Sequence, residues 1–100
     1  AGLPLAVATD FNPGSSPSGD MNFMISLLCV QYKLNPEEAF NAATINAAYA
    51  MNVSHLTGSI SVGKRADFFI TKAISSPYII PYSFNENVIE SVYVKGKKVV

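Results

Sequence analysis

Asp10 closes a nearly unbroken apolar run, Leu3-Pro4-Leu5-Ala6-Val7-Ala8-Thr9, and opens a stretch of turn formers, Phe11-Asn12-Pro13-Gly14-Ser15-Ser16-Pro17-Ser18-Gly19. A carboxylate where an apolar strand gives way to a loop can ligate a metal ion or take a proton from metal-bound water. In barrels of alternating strands and helices, active sites are built at this strand end. An Asx turn, or a cap for the departing chain, suits the same position equally well. A calcium loop does not fit: Gly14 stands at the third ligand position and Met21 at that of the closing glutamate. Beyond Asp10, Asn12, Gly14 and Ser15 form a compact polar set leading toward a helix. Backbone N–H groups near Gly14 can cradle a carboxylate, with Asn12 and Ser15 donating from their side chains. A proline-glycine turn that needs these residues only for its dihedrals explains the pattern too, and the residues alone favour it.

The other reactive side chains offer less. Gly63-Lys64-Arg65 lacks the glycine spacing of a phosphate loop. Glu37 and Glu38 fit a helix start, where negative charge interacts well with the dipole. Asp67 precedes a strand and suits a backbone hydrogen bond in a turn, and the five tyrosines are scattered. Cys29, the one cysteine, lies in an apolar run and reads as a core residue; with no disulfide available, a reducing, cytoplasmic compartment is expected. His55, the one histidine, has no neighbouring ligands in sequence. Asn52-Val53-Ser54 matches a glycosylation acceptor in a chain without secretory features.

The elements that must position these residues change texture near residue 53. The apolar run over residues 3–9 predicts a strand buried on both faces, as in a parallel sheet. Met21, Met24, Ile25 and Leu28 follow helical spacing, and Phe23, Leu27 and Val30 fill a second face, so residues 20–32 should form a largely buried helix. Asn35-Pro36-Glu37-Glu38 starts another, with Asn35 as cap, Pro36 in the first turn and Glu38 reaching back in a capping box. Thr44 is placed to break this alanine-rich segment into two short helices, and Asn52 to stop it. From Thr57 onward the pattern is of strands and turns. Extended pieces hinge on Gly58 and Gly63, and residues 67–71 form a strand. Pro77 and Pro81 mark an irregular crossing. Residues 88–94 form a further strand with Val88, Val92 and Val94 on one face, then a turn at Lys95-Gly96-Lys97 and a return strand. The fold class is therefore α/β followed by β.

Composition constrains the partners. Hydrophobic residues make up 49% of the 100 residues and charged ones 14%, an apolar balance for so small a unit. Some apolar faces are thus expected to meet further chain or a partner. Seven basic and seven acidic residues cancel, and Lys95, Lys97 and Lys98 make only a solvated turn, so no nucleic-acid partner is expected. The run from Phe23 to Val30 falls far short of the about 20 residues that span a bilayer, and no charged segment precedes an apolar one at the start; no membrane association is expected.

Four stretches carry a resemblance: Ala6-Val7-Ala8-Thr9-Asp10-Phe11-Asn12-Pro13-Gly14-Ser15, Asn35-Pro36-Glu37-Glu38-Ala39-Phe40, Thr44-Ile45-Asn46-Ala47-Ala48, and Gly58-Ser59-Ile60-Ser61-Val62-Gly63-Lys64-Arg65-Ala66-Asp67-Phe68. The chain resembles the metal-dependent amidohydrolase superfamily over essentially its whole length. Within it, the Asp-x-Asn-Pro-Gly-Ser loop resembles that of the imidazolonepropionase family.

The resemblance implies that residues 1–53 are the last strand of a (β/α)8 barrel with its substrate loop and helices. It implies that residues 54–100 are the C-terminal portion of a small β-sandwich composed from both chain ends. Asp10 would be the metal ligand and proton relay, and Asn12, Gly14 and Ser15 would bind the small-molecule substrate. The reaction implied is hydrolytic opening of 4-imidazolone-5-propanoate to N-formimidoyl-L-glutamate in histidine degradation, with one zinc or iron ion, in a homodimer when intact. The family's His-x-His pair and mid-barrel histidine are not among these residues, and a barrel takes roughly 250 residues. The chain is thus expected to be a fragment that is inactive without the remainder of the enzyme. Two other readings stand beside this one: another metal-dependent amidohydrolase, such as a deaminase or cyclic amidase, and a small non-catalytic domain.

Overall fold

The computed structural model describes residues 2–83 and 86–100. Three helices come first: α1 (Met21–Val30), α2 (Pro36–Ala43) and α3 (Ile45–Ala50). Then follow β1 (Phe68–Thr71), a 3-10 helix (Pro77–Tyr82), β2 (Ile89–Val94) and β3 (Lys97–Lys98). The helix boundaries have local causes. The Asp20 carboxylate accepts from the Asn22 N–H and starts α1. The capping box at α2 is complete: Glu38 N–H donates to Asn35 Oδ1 at 2.9 Å and Asn35 N–H to Glu38 Oε2 at 3.0 Å. Thr44 separates α2 from α3, though its hydroxyl turns back to the Phe40 carbonyl at 2.6 Å instead of capping α3. Asn52, at φ 60, takes the left-handed conformation that ends the helical segment.

Ile25 and Cys29 of α1 meet Ala39 of α2 in the core, with Leu28, Phe40 and Ala43 packed around them. Alanine at this contact lets the two helices approach closely. Burial pushes the Cys29 thiol above its ordinary pKa, so it serves as an inert core residue. The 3-10 helix closes the far side of α1, burying Ile80 and Pro81. The Tyr78 hydroxyl donates to the Glu37 carboxylate, fastening this segment to the start of α2; that carboxylate raises the tyrosine pKa.

The three strands make one antiparallel sheet in the order β1-β2-β3. Phe68 pairs with Tyr93 and their rings stack, centroids 4.8 Å apart. The pairing slips between Ile70 and Thr71, and Ser91 is the most buried residue of β2. Val88 is buried, Val92 half-buried and Val94 exposed, so the valine face expected from alternation is only partly covered. Lys95 and Gly96, both at positive φ, make the tight turn into β3. The Asp67 carboxylate holds that turn, accepting from the Lys95 N–H at 2.8 Å and from Arg65.

Among the described residues no helix backbone lies beside a strand, and residues 53–66 connect the two parts of the chain. Gly58, at φ +96, lies so close to α3 that a Cβ there would sit 2.7 Å from that of Ala48. Residues 2–11 form no assigned strand. A strand of a parallel sheet takes its hydrogen bonds from neighbouring strands, and the described residues place none beside this run. Instead it is tied to the helices: Val7 N–H donates to the Ala42 carbonyl at 3.0 Å, and Asn46 Nδ2 to the Leu5 carbonyl at 2.9 Å. Most of its residues are exposed, Leu3 to 77%. No helix among the described residues is long and apolar enough to cross a membrane.

Candidate functional site

The four candidate residues fall in one small closed loop. Asn12 and Ser16 face each other as an isolated bridge: Asn12 N–H donates to the Ser16 carbonyl at 2.8 Å, and Ser16 N–H to the Asn12 carbonyl at 3.2 Å. Within the bridge, Asn12 Oδ1 accepts from Gly14 N–H at 3.0 Å, Ser15 N–H at 2.8 Å and Ser15 Oγ at 3.2 Å. Its Nδ2 donates outward to the Asp10 carbonyl at 2.8 Å. One asparagine thus organises the turn from both ends of its amide. A Cβ at Gly14 would lie 3.3 Å from Asn12 Oδ1, a tight contact that the asparagine would have to yield to by a few tenths of an ångström.

Asp10 stands at the mouth of the loop, exposed, with φ 47. A left-handed backbone is uncommon for a residue with a side chain, though aspartate adopts it more readily than most. No described residue hydrogen-bonds or pairs with its carboxylate. Asp10 therefore presents a carboxylate without a partner among the described residues, at the start of the loop. The donors of Gly14 and Ser15 are turned inward and are satisfied by Asn12 Oδ1, so the loop closes on itself.

Sequence reasoning did not single out Ser16 from its run of turn formers. Its hydroxyl donates to the Thr9 carbonyl at 2.6 Å and is partly buried. No signal marked it, because the hydroxyl acts on a residue seven positions back. His55 is exposed and belongs to another region, and the described residues contain no group of three or more His, Cys, Asp or Glu able to hold a metal ion. Zinc takes about four protein or water ligands; Asp10 can supply one. Among the described residues Asp10 has no group of such ligands beside it.

Two cavities lie elsewhere. One, of about 640 Å³, runs between the start of α1 (Asp20, Asn22, Phe23) and residues 86–89. The other, of about 660 Å³ and mostly apolar, lies between α3, Leu56, Ile60 and the phenylalanines of β1. Neither is lined by Asp10, Asn12, Gly14 or Ser15.

An apolar segment ending in a free carboxylate, a donor-lined loop, and helices packed behind them match a known class. The sequence pattern of the amidohydrolase family covers residues 1–99, and the chain belongs to that family. Members generally depend on a metal ion. Solved structures agree on the fold. An amidohydrolase from Thermotoga maritima superposes with a TM-score of 0.74 at 22% identity, over 99% of this chain and 23% of its own. An E. coli guanine deaminase gives 0.75 at 21%, over 98% and 28%. The fold is thus that of part of a (β/α)8 hydrolase.

In sequence the chain is similar to imidazolonepropionases. It is 61% identical to that of Flavobacterium johnsoniae and 61% to that of Christiangramia forsetii, each over 97 residues, which is 97% of this chain and 24% of the relative. It is 44% identical over 100 residues to an imidazolonepropionase of Streptococcus pyogenes, all of this chain and 24% of that protein. The chain spans about a quarter of the length of the curated relatives it matches.

Proposed function

We propose that this chain is the C-terminal part of an imidazolonepropionase, opening 4-imidazolone-5-propanoate to N-formimidoyl-L-glutamate. The observation that carries the reading is the 61% identity to imidazolonepropionases across nearly the whole chain. The guanine deaminase shares the fold at 21% identity, which carries no argument about substrate. A non-catalytic small domain leaves the family match unexplained.

In this reading Asp10 takes the proton of the attacking water as its oxygen adds to the ring carbonyl, and returns it to the departing ring nitrogen when the C–N bond breaks. The products balance: the carbonyl becomes a carboxylic acid that releases the second water proton to give the carboxylate, and the nitrogen stays in the formimidoyl group. Asn12, Gly14 and Ser15 hold a substrate carboxylate beside Asp10. A zinc or iron ion would supply the polarised carbonyl and activated water; Asp10 is the one ligand this chain offers, and the others lie in the remainder of the enzyme. Residues 1–53 then provide the last barrel strand, substrate loop and helices, and residues 54–100 the C-terminal portion of a composite β-sandwich. The exposed apolar segment before Asp10 and the open edge of β1 both support such completion. The intact enzyme is proposed to be a cytoplasmic homodimer.

The test is a chimera in which these residues replace the matching segment of the Flavobacterium johnsoniae enzyme. Hydrolysis of 4-imidazolone-5-propanoate is expected, and Asp10→Asn should lower kcat by roughly 10²- to 10⁴-fold, the usual worth of a positioned acid–base group. A folded, metal-loaded chimera without turnover, or an Asp10→Asn variant of near-normal activity, refutes the assignment.

A further inference from the structure

We infer that Ser16 is a positioning residue for Asp10, acting through the backbone and not by touching substrate. The inference rests on the reading of Asp10 as the reacting carboxylate. The direction of a side chain is set by the two peptide planes that meet at its Cα, whose rotations are φ and ψ. At Asp10 both planes are pinned by side chains of the same loop. The plane before it carries the Thr9 carbonyl, which accepts from Ser16 Oγ at 2.6 Å. The plane after it carries the Asp10 carbonyl, which accepts from Asn12 Nδ2 at 2.8 Å. Ser16 and Asn12 are in turn locked to each other by their two reciprocal backbone bonds. The result is a frame that holds the backbone on both sides of Asp10.

This frame explains the φ of 47 at Asp10. A residue with a Cβ leaves the left-handed region readily unless its surroundings fix it there. Without the Ser16 hydroxyl, the Thr9–Asp10 peptide has its next tie at Val7, bonded to the Ala42 carbonyl. The peptide is then free to rotate, and the carboxylate swings with it. The Ser16 hydroxyl is not among the donors aimed at Asn12 Oδ1, and the backbone bridge of Ser16 to Asn12 needs no side chain, so loss of the hydroxyl leaves the Asn12–Ser15 turn in place.

The experiment uses the same chimeric enzyme with Ser16→Ala and Ser16→Thr. Alanine removes the donor and threonine keeps it. Misplacing a catalytic group, or deleting the partner that orients it, typically costs about 10- to 100-fold. Ser16→Ala should therefore lower kcat by about 10- to 100-fold while KM stays within about threefold, and Ser16→Thr should restore most of kcat. A purely structural role would change the melting temperature and leave kcat per folded molecule intact. Wild-type kcat in Ser16→Ala, a raised KM at unchanged kcat, or a threonine variant no better than alanine overturns the inference while the parent chimera stays active. A parent without turnover removes the enzyme assignment itself and the inference with it.

Discussion

Gly58 and Gly63 offer a controlled comparison, because both hold positive φ (+96 and +89) but only one is crowded. An alanine at either site meets the left-handed penalty of about 1–2 kcal/mol. At Gly63 nothing lies within 4 Å of the new Cβ, so that penalty is the whole effect. At Gly58 the new Cβ would sit 2.7 Å from Ala48 Cβ, 3.1 Å from Ile45 Cα and 3.3 Å from the Thr44 carbonyl oxygen. Two of these atoms are backbone and the third is a buried methyl, so relief requires α3 to move. Overpacking of this kind costs about 1–3 kcal/mol more. Gly58→Ala should thus destabilise its surroundings by about 1–3 kcal/mol beyond Gly63→Ala. Hydrogen exchange read at the Ala48, Met51 and Val53 amides, which bond within this turn, measures the difference locally. Exchange in Gly58→Ala should be about 5- to 150-fold faster than in Gly63→Ala, the rate equivalent of that gap. Equal exchange in the two variants, or faster exchange in Gly63→Ala, would refute the claim that the loop is held by close approach to α3.

Asn35→Ala removes the acceptor for the Glu38 N–H and unlocks the reciprocal bond; α2 should lose about 1 kcal/mol, seen as faster exchange of the Glu38 and Ala39 amides, and unchanged exchange there would count against the capping box. Asp67 gives a pH signature: the Lys95 N–H and then Arg65 hold its carboxyl below the ordinary carboxylate range. A depressed folded-state pKa means the stabilisation is fully present above the unfolded value of about 3.9 and is lost as pH falls through the folded one. Wild type should therefore be more resistant to urea than Asp67→Asn at neutral pH, with the gap narrowing as pH falls below about 4; a gap independent of pH would contradict it.

What could be read from the sequence was governed by neighbours a few residues apart. The Asn35-Pro36-Glu37-Glu38 start, the interruption at Thr44 and the stop at Asn52 depend on bonds within one helical turn, and each stands in the structure. The features that escaped depend on distant chain. The Pro77–Tyr82 segment looked like an irregular crossing, yet the fixed proline φ suits a tight 3-10 turn once Ile80 and Pro81 have α1 to pack against. The valine face of β2 was compromised by the slip opposite Ile70 and Thr71, which alternation along one strand cannot reveal. At the candidate site, the types and spacing of Asp10, Asn12, Gly14 and Ser15 marked a polar loop. That the Asn12 amide would satisfy that loop internally, and that Ser16 would reach back to Thr9, follow from its closed shape and not from its composition.

The apolar excess of the sequence ends up on the surface in a telling distribution. The buried core is built from small contacts, Ile25 and Cys29 against Ala39, while Leu3, Leu5 and Phe11 flank the candidate site in the open. Ile60 and Val62 are almost wholly exposed on the connection between helices and sheet, and Phe69 and Ile70 lie half in water on the edge strand β1. A random scatter of exposed hydrophobes would need no explanation. Besides exposed residues on the helices and the 3-10 segment, these fall on three stretches with unfilled hydrogen-bonding or packing sides: a strand-like segment without a sheet, a connector, and a sheet edge. The segment that presents Asp10 is the first of them, so under the proposed function the placement of its carboxylate depends on two supports. The frame of Asn12 and Ser16 fixes the carboxylate relative to the loop, and flanking strands, as in the barrel of its family, would fix the loop relative to everything else.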